Sequence, residues 1–191
     1  MTFSAHLPCR VDDIVVRELR ACDAEAFASG TTDPAVQKYG HLPLTRYTPE
    51  IVRDQIDGVI AQGLADGTLA VLAIADADSD AFLGSLVLFD FSGDRAEVGF
   101  WLTAESRGRG VAAKALVAAN QIVAAMGLEL LTARTSPQNM ASQRVLERAG
   151  YEQTGMPTEQ QTPSGARVPV LTFERSVVEF RHGQTTGGKG G

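Results

Sequence analysis

The stretch Glu97-Val98-Gly99-Phe100-Trp101-Leu102, followed by Thr103-Ala104-Glu105-Ser106 and then Arg107-Gly108-Arg109-Gly110-Val111-Ala112, decides how this chain is read. Its first part alternates as a strand does: Glu97, Gly99 and Trp101 share one face, Val98, Phe100 and Leu102 the other. Its last part opens a helix, because Ala112, Ala115, Leu116, Ala119, Ile122, Val123 and Met126 recur at helical spacing. Gly108 and Gly110 carry no Cβ, so a ligand can come close to the backbone. The N–H groups of the helix's first turn lack intrahelical partners and point at one spot, and the helix dipole favours an anion there. Arg107 and Arg109 add positive charge. Two readings remain open on composition alone: a pyrophosphate cradle, or a Gly-rich helix start with solvated arginines.

Other nucleotide loops fit poorly. A Walker loop needs Gly-Lys-Ser/Thr after four intervening residues, which is absent here. A dinucleotide fingerprint needs a third glycine and a place near the first strand. Gly108-Arg109-Gly110-Val111-Ala112-Ala113 lacks that glycine and lies late in the chain.

Working outward toward the N-terminus, Ile14–Arg20 reads as a first strand. Asp23 reads as the cap of a short helix ending at Ala28. Residues 30–48 read as a long loop with at most one helical turn. Thr48-Pro49 starts a helix that should run to about Gln62. Leu69–Asp76 and Phe82–Phe91 then pair as a hairpin, and Arg95–Leu102 completes a meander. Toward the C-terminus, Gly110–Met126 is helical, Glu129–Thr135 is a strand and Asn139–Ala149 is a short helix. Tyr151–Thr154 and Val168–Ser176 are the last strands, joined by a polar loop. This order implies an α/β (α+β) domain: a mixed, mostly antiparallel central sheet of about seven strands flanked by about four helices. One domain over residues 1–182 with a flexible Gly-rich tail over 183–191 is the expected organisation.

Bulk properties narrow the function. The 191 residues are 44% hydrophobic and 21% charged, ordinary values for a globular protein that argue against disorder. A net charge of −6 argues against a nucleic-acid partner, since phosphate backbones reward clustered cations. No secretory signal and no apolar run long enough to span a membrane are visible, so a cytoplasmic protein is expected. Cys9 and Cys22 form no CxxC pair; free thiols and a Cys9–Cys22 disulfide both stand, with free thiols the plainer reading. No cluster has metal-ligand spacing. The sequence does not decide between monomer and homodimer.

Arg-x-x-Gly-x-Ala at Arg107–Ala112, after the strand Glu97–Leu102, resembles the acyl-CoA motif of GNAT acetyltransferases. Asn139-Met140-Ala141-Ser142 and Val145-Leu146-Glu147-Arg148-Ala149-Gly150-Tyr151 are similar to that superfamily's next motif. The pair is most similar to the branch of ribosomal-protein N-terminal acetyltransferases. The resemblance implies acetyl transfer from acetyl-CoA to a primary amine, either a protein N-terminal α-amine or a small molecule, in a ternary complex. It assigns the coenzyme diphosphate to the backbone of Arg107, Gly108, Gly110, Val111 and Ala112, with Arg109 either near a phosphate or solvated. It implies a splay between the strands Arg95–Leu102 and Glu129–Thr135, with Gly99 as a bulge site or as room for a neighbour. Amides near Trp101 and Leu102 would polarise the thioester carbonyl. Asn139 is either a partner of the coenzyme arm or a helix cap.

Many relatives carry a proton-donating tyrosine where this chain has Leu146. Ser142 then becomes the candidate donor to the departing sulfur, against an ordinary helix serine bonded back to a carbonyl. Glu97 is the candidate general base, against an ordinary paired carboxylate, with water as the substitute. Tyr39, His41, Tyr47 and a 156–167 loop are the candidates for the acceptor pocket. A non-catalytic acyl-CoA-binding module is the alternative function.

Overall fold

The computed structural model describes residues 3–161 and 165–177. The tail expected from 183 onward lies outside the described residues. Eight strands form one sheet in the order β1-β2-β3-β4-β5-β6-β8-β7. They are β1 (Cys9–Val11), β2 (Ile14–Glu18), β3 (Ala70–Asp76), β4 (Phe82–Ser92), β5 (Arg95–Leu102), β6 (Leu130–Thr135), β7 (Glu152–Gln161) and β8 (Arg167–Ser176). Every neighbouring pair is antiparallel except β5 and β6. The helices are α1 (Ala24–Gly30), α2 (Pro34–Tyr39), α3 (Pro49–Gln55), α4 (Ala61–Asp66), α5 (Val111–Ala125) and α6 (Met140–Arg148).

The central helix follows from its sequence. All seven residues of the expected stripe on α5 are buried, and Ala118 and Asn120 join them. Its many alanines let the helix lie close to the sheet, where Ala96, Val98 and Leu102 of β5 are also buried. Gly127, at φ +79°, ends the run in the left-handed conformation that favours glycine.

Several elements differ from the sequence reading. The sheet has eight strands, because the short edge strand β1 pairs with β2 through Cys9↔Val16, Arg10↔Val15 and Val11↔Ile14. The expected loop over 30–48 contains α2, whose Asp33 caps it by accepting from the Ala35 and Val36 amides, with Pro34 at the first position. The helix begun by Thr48 passes Gln62: α3 runs through a π-helical turn, Ile56–Ile60, into α4, and stops at left-handed Gly67. The polar loop expected after Thr154 is largely β7, an edge strand whose exposed residues show no alternation to read.

Asp23 also differs. It precedes α1 but makes no side-chain cap on it. Its carboxylate, 4% exposed, accepts instead from Arg17 Nη1 at 2.7 Å and Nη2 at 3.0 Å, and from the Arg20 amide at 2.8 Å. Arg17 is itself buried and also donates to Asp80 at 2.6 Å, which ties β2 to the β3–β4 turn. Asp23→Ala leaves a buried guanidinium with Asp80 as its remaining carboxylate. The expected loss is about 2 kcal/mol, below the full cost of orphaning a buried charge because Asp80 stays in place. Urea unfolding measures it as a lower midpoint at unchanged slope, and an unmoved midpoint would refute the account.

Candidate active site

The site begins where β5 and β6 part. Their parallel ladder holds only Arg95↔Leu130, Ala96↔Leu131 and Glu97↔Thr132. Beyond Glu97 the strands diverge, which is the expected splay. Gly84↔Leu102 is a ladder position without mutual hydrogen bonds, since the Thr103 amide donates to the Leu83 carbonyl one step further on. By alternation the backbone groups of Val98, Phe100 and Leu102 turn away from β4, toward the fork. Those of Trp101 turn toward β4, opposite Ser85. Leu102, not Trp101, therefore offers its amide to anything lying in the fork.

The expected bulge at Gly99 is absent. The β4–β5 register is unbroken from Gly84↔Leu102 to Phe89↔Glu97 and shifts only between Phe89 and Ser92. A Cβ on Gly99 would meet Val87 Cγ1 at 3.0 Å, so the glycine makes room for a neighbour.

At the open end of the fork, the loop after β5 delivers α5. Gly110 holds the cap position at φ +78° with no side-chain cap, and Gly108 sits at φ +74°. A Cβ on either glycine would meet nothing within 4 Å. An uncapped helix start with open space above it is a fit for a diphosphate. Val111 and Ala112 are buried and their apolar side chains offer an anion nothing, so only their backbone can serve it. The Arg107 side chain is engaged elsewhere: Nη2 donates to Asp33 Oδ1 at 2.7 Å and to the Leu102 carbonyl at 3.0 Å. Hydrogen bonds from Ser79 and the Asp78 amide hold the Asp76 carboxyl below its usual range, and the exposed Arg109 adds only a smaller attraction to it.

Across the fork, Asn139 caps α6. Its Oδ1 accepts from the Ser142 amide at 3.2 Å, so the capping role is present and the side-chain nitrogen remains for a ligand. The Ser142 hydroxyl makes no hydrogen bond among the described residues, so the expected alternative of bonding back to a carbonyl is not formed. Leu146 is 1% exposed and belongs to the core. Its side chain is spent on packing.

Glu97 faces α1's side of the sheet together with Trp101, whose ring packs edge-on against Phe27 at 5.2 Å. Glu97 is 7% exposed and held by a fork of two bonds: Arg134 Nε to Oε1 at 2.9 Å and Nη2 to Oε2 at 2.7 Å. Burial pushes the Glu97 carboxyl above its ordinary range, and the Arg134 guanidinium opposes that rise. Each oxygen keeps a lone-pair site for a further donor.

The acceptor candidates separate. Tyr39, at the end of α2, reaches the Gln138 carbonyl at 3.5 Å, beside Asn139. Tyr47 is buried against Phe27 at 5.7 Å and its hydroxyl accepts from the Leu44 amide, so it is structural. His41 has a left-handed φ of +46°, and partial burial pushes its pKa down. Met156 lies on β7, and residues 162–164 of the expected loop are outside the described residues.

Sequence reasoning missed Arg134 and Asp33. Arg134 needed the β5–β6 register. Asp33-Pro34 carried a usable signal, a capping residue before proline. Both cysteines are free. Cys9 donates to the Ala118 carbonyl on α5, eight residues past Gly110 and so about 12 Å along the helix. Among the described residues, no group of side chains suits a metal ion and no helix is long and apolar enough to cross a membrane.

Comparison with known proteins agrees with this geometry. No curated protein sequence matches the chain. Among solved structures, Mycobacterium smegmatis RimJ in complex with CoA-disulfide superposes with a TM-score of 0.74 at 22% identity, covering 91% of this chain and 88% of that one. The ribosomal-protein-S5-alanine acetyltransferase from Vibrio fischeri gives 0.74 at 16% identity, over 92% and 99%. The Salmonella typhimurium acetyl transferase that modifies the N-terminal serine of ribosomal protein L7/L12 gives 0.73 at 17% identity, over 88% and 97%. The family model for the acetyltransferase (GNAT) domain matches residues 13–152, which include β5, the glycine loop, α5 and α6. The chain belongs to the GNAT acetyltransferase family.

Proposed function

We propose that this acetyltransferase moves the acetyl group of acetyl-CoA onto a protein N-terminal α-amine by direct attack in a ternary complex. The observation that carries the reading is the uncapped start of α5 opening beside the unpaired edges of β5 and β6. The acceptor class is supported by neighbours whose names specify ribosomal proteins or a protein N-terminal serine.

When bound, acetyl-CoA supplies an activated thioester. The amides of Gly108, Gly110, Val111 and Ala112 hold its diphosphate, as a helix start holds an anion, whereas the Arg107 amide, also expected there, donates to the Ala104 carbonyl at 3.4 Å. The Asn139 side-chain nitrogen donates to the coenzyme arm while its oxygen stays on the Ser142 amide. The Leu102 amide, turned toward the fork, donates to the thioester carbonyl where negative charge develops. Glu97 takes the proton of the attacking amine, directly or through a water. The nitrogen–carbon bond forms, the carbon–sulfur bond breaks, and the Ser142 hydroxyl donates to the departing thiolate. Neither motif contains a cysteine, and Cys9 lies about 12 Å along α5 from Gly110, which speaks against a covalent acyl-enzyme.

A second reading, a non-catalytic CoA-binding module, is favoured by one fact: Arg134 engages both Glu97 oxygens. A free-thiol assay across N-terminal peptides, polyamines and aminoglycosides separates the two. Thiol release with peptides is the expected result. Release with polyamines or aminoglycosides alone moves the acceptor to a small molecule. Coenzyme binding without release in any arm establishes the module.

A further inference from the structure

Helix α2 spans the fork. At its start, Asp33 accepts from Arg107 on the loop that opens α5, Nη2 to Oδ1 at 2.7 Å and Nη1 to Oδ2 at 3.3 Å. At its end, Tyr39 reaches the Gln138 carbonyl in the segment leading to α6. The two walls of the fork are thus joined by one short helix. It directly follows α1, which packs on Trp101 so closely that a Cβ on Gly30 would sit 2.5 Å from the indole. Trp101 and Glu97 share a face of β5, so α2 stands on the side of the sheet from which an acceptor reaches Glu97.

A helix of six residues cannot hold itself together in water. Its order depends on its anchors, and Asp33 is the central one. That carboxylate caps α2 through the Ala35 and Val36 amides and binds Arg107 at the same time. Arg107 in turn belongs to a loop with two left-handed glycines, a segment with much conformational freedom to lose. Whatever stills that loop stills Arg107, and through Asp33 it stills α2. The Arg107 guanidinium is directed at Asp33 and the Leu102 carbonyl rather than into the space above Gly110, so it can serve this link while the loop amides serve an anion.

We propose that Asp33 is a positioning residue that couples the two substrate sites: by holding Arg107, it makes the order of α2 on the acceptor side rise when the coenzyme loop is occupied. This rests on the loop being the CoA site. Coenzyme and acceptor then each favour the binding of the other, a coupling carried by loss of motion rather than by a change of shape.

Amide hydrogen exchange on the whole chain, with and without CoA, tests it. CoA is expected to slow exchange at Val111 and Ala112, and to slow it about tenfold at Ala35 and Val36, within the usual range of coupling between sites. Asp33→Asn keeps a capping side chain on α2 but loses the ion pair with Arg107. In that variant the slowing at Val111 and Ala112 stays, the slowing at Ala35 and Val36 disappears, and KM for the acceptor peptide rises about tenfold while kcat holds. Asp33→Glu, which restores the charge, recovers part of the response. Protection at Val111 and Ala112 with none at Ala35 and Val36 in the native chain overturns the coupling and leaves the coenzyme site standing. So does an unaltered response in Asp33→Asn. No protection anywhere overturns both.

Discussion

Gly110→Glu is expected to abolish coenzyme binding and leave a folded protein. Gly110 sits at φ +78°, where a side chain costs about 1–2 kcal/mol. Open space lies around it, so a Cβ meets no neighbour. A carboxylate at a helix start gains about 0.3–1 kcal/mol from the dipole, which offsets part of the conformational cost. The thermal midpoint should therefore move little. The coenzyme meets two obstacles: a side chain standing where its diphosphate must approach, and a negative charge drawn to the amides that the diphosphate needs. Gly110→Ala is the control, since it carries the conformational cost without charge or reach. Calorimetry with CoA should show no heat for the glutamate variant and at most about tenfold weakening for alanine, tenfold being worth about 1.4 kcal/mol. Native affinity in Gly110→Glu would mean that the start of α5 is not where the diphosphate rests.

The same region shows what sequence reading can and cannot reach. Strand β5 and helix α5 are legible because their signals are local: alternation over Glu97–Leu102, then a buried stripe at helical spacing. The glycines between them announce a backbone open to a ligand. Elements with weak local signals escape. β1 has three residues, and β7 is a polar edge strand interrupted by Gly155 and Pro157. The π-helical turn falls at Gly58, where a non-helical φ of −105° and ψ of −106° break a pattern that otherwise reads as one helix.

Contacts between distant segments escape for a different reason. The Glu97–Arg134 pair joins residues on two strands whose register is fixed by α5 and its flanking turns. Alternation alone places Glu97 beside Trp101 but says nothing of what stands on the next strand. The Arg17–Asp23 pair is hidden in the same way, because Asp23 before a helix reads as a cap until the fold brings a buried arginine to it. The bulge expected at Gly99 fails on a side-chain contact, Val87 across the ladder, that only the β4–β5 register reveals. Local chemistry is thus readable from residue order, whereas the partner of each charged group depends on strand register.

Glu97→Gln is expected to lower kcat by about 10²–10⁴-fold while CoA affinity holds. Glutamine keeps the shape and can still accept from Arg134, so the lost function is proton uptake. The pH dependence carries the sign. Burial raises the Glu97 pKa and Arg134 opposes the rise, so turnover should fall as pH drops through a value above the ordinary carboxylate range. An α-amine acceptor adds its own acid limb near its pKa of about 7.7–8.0, and that limb survives in Glu97→Gln while the carboxylate limb vanishes. Arg134→Gln removes the opposing guanidinium. The carboxylate limb should then move to higher pH, since burial acts without its counterweight. Stability in that variant follows the same linkage. A carboxyl with a raised folded pKa contributes fully below the unfolded glutamate pKa, and the contribution is lost as pH climbs through the folded value. Arg134→Gln should therefore unfold more readily at neutral pH than in mild acid, relative to the native chain. Steady-state rates across pH with saturating coenzyme decide the matter. Native rates for Glu97→Gln at every pH would remove the carboxylate from the mechanism and leave proton uptake to water, with the Arg134 pair as a strut at the base of the fork.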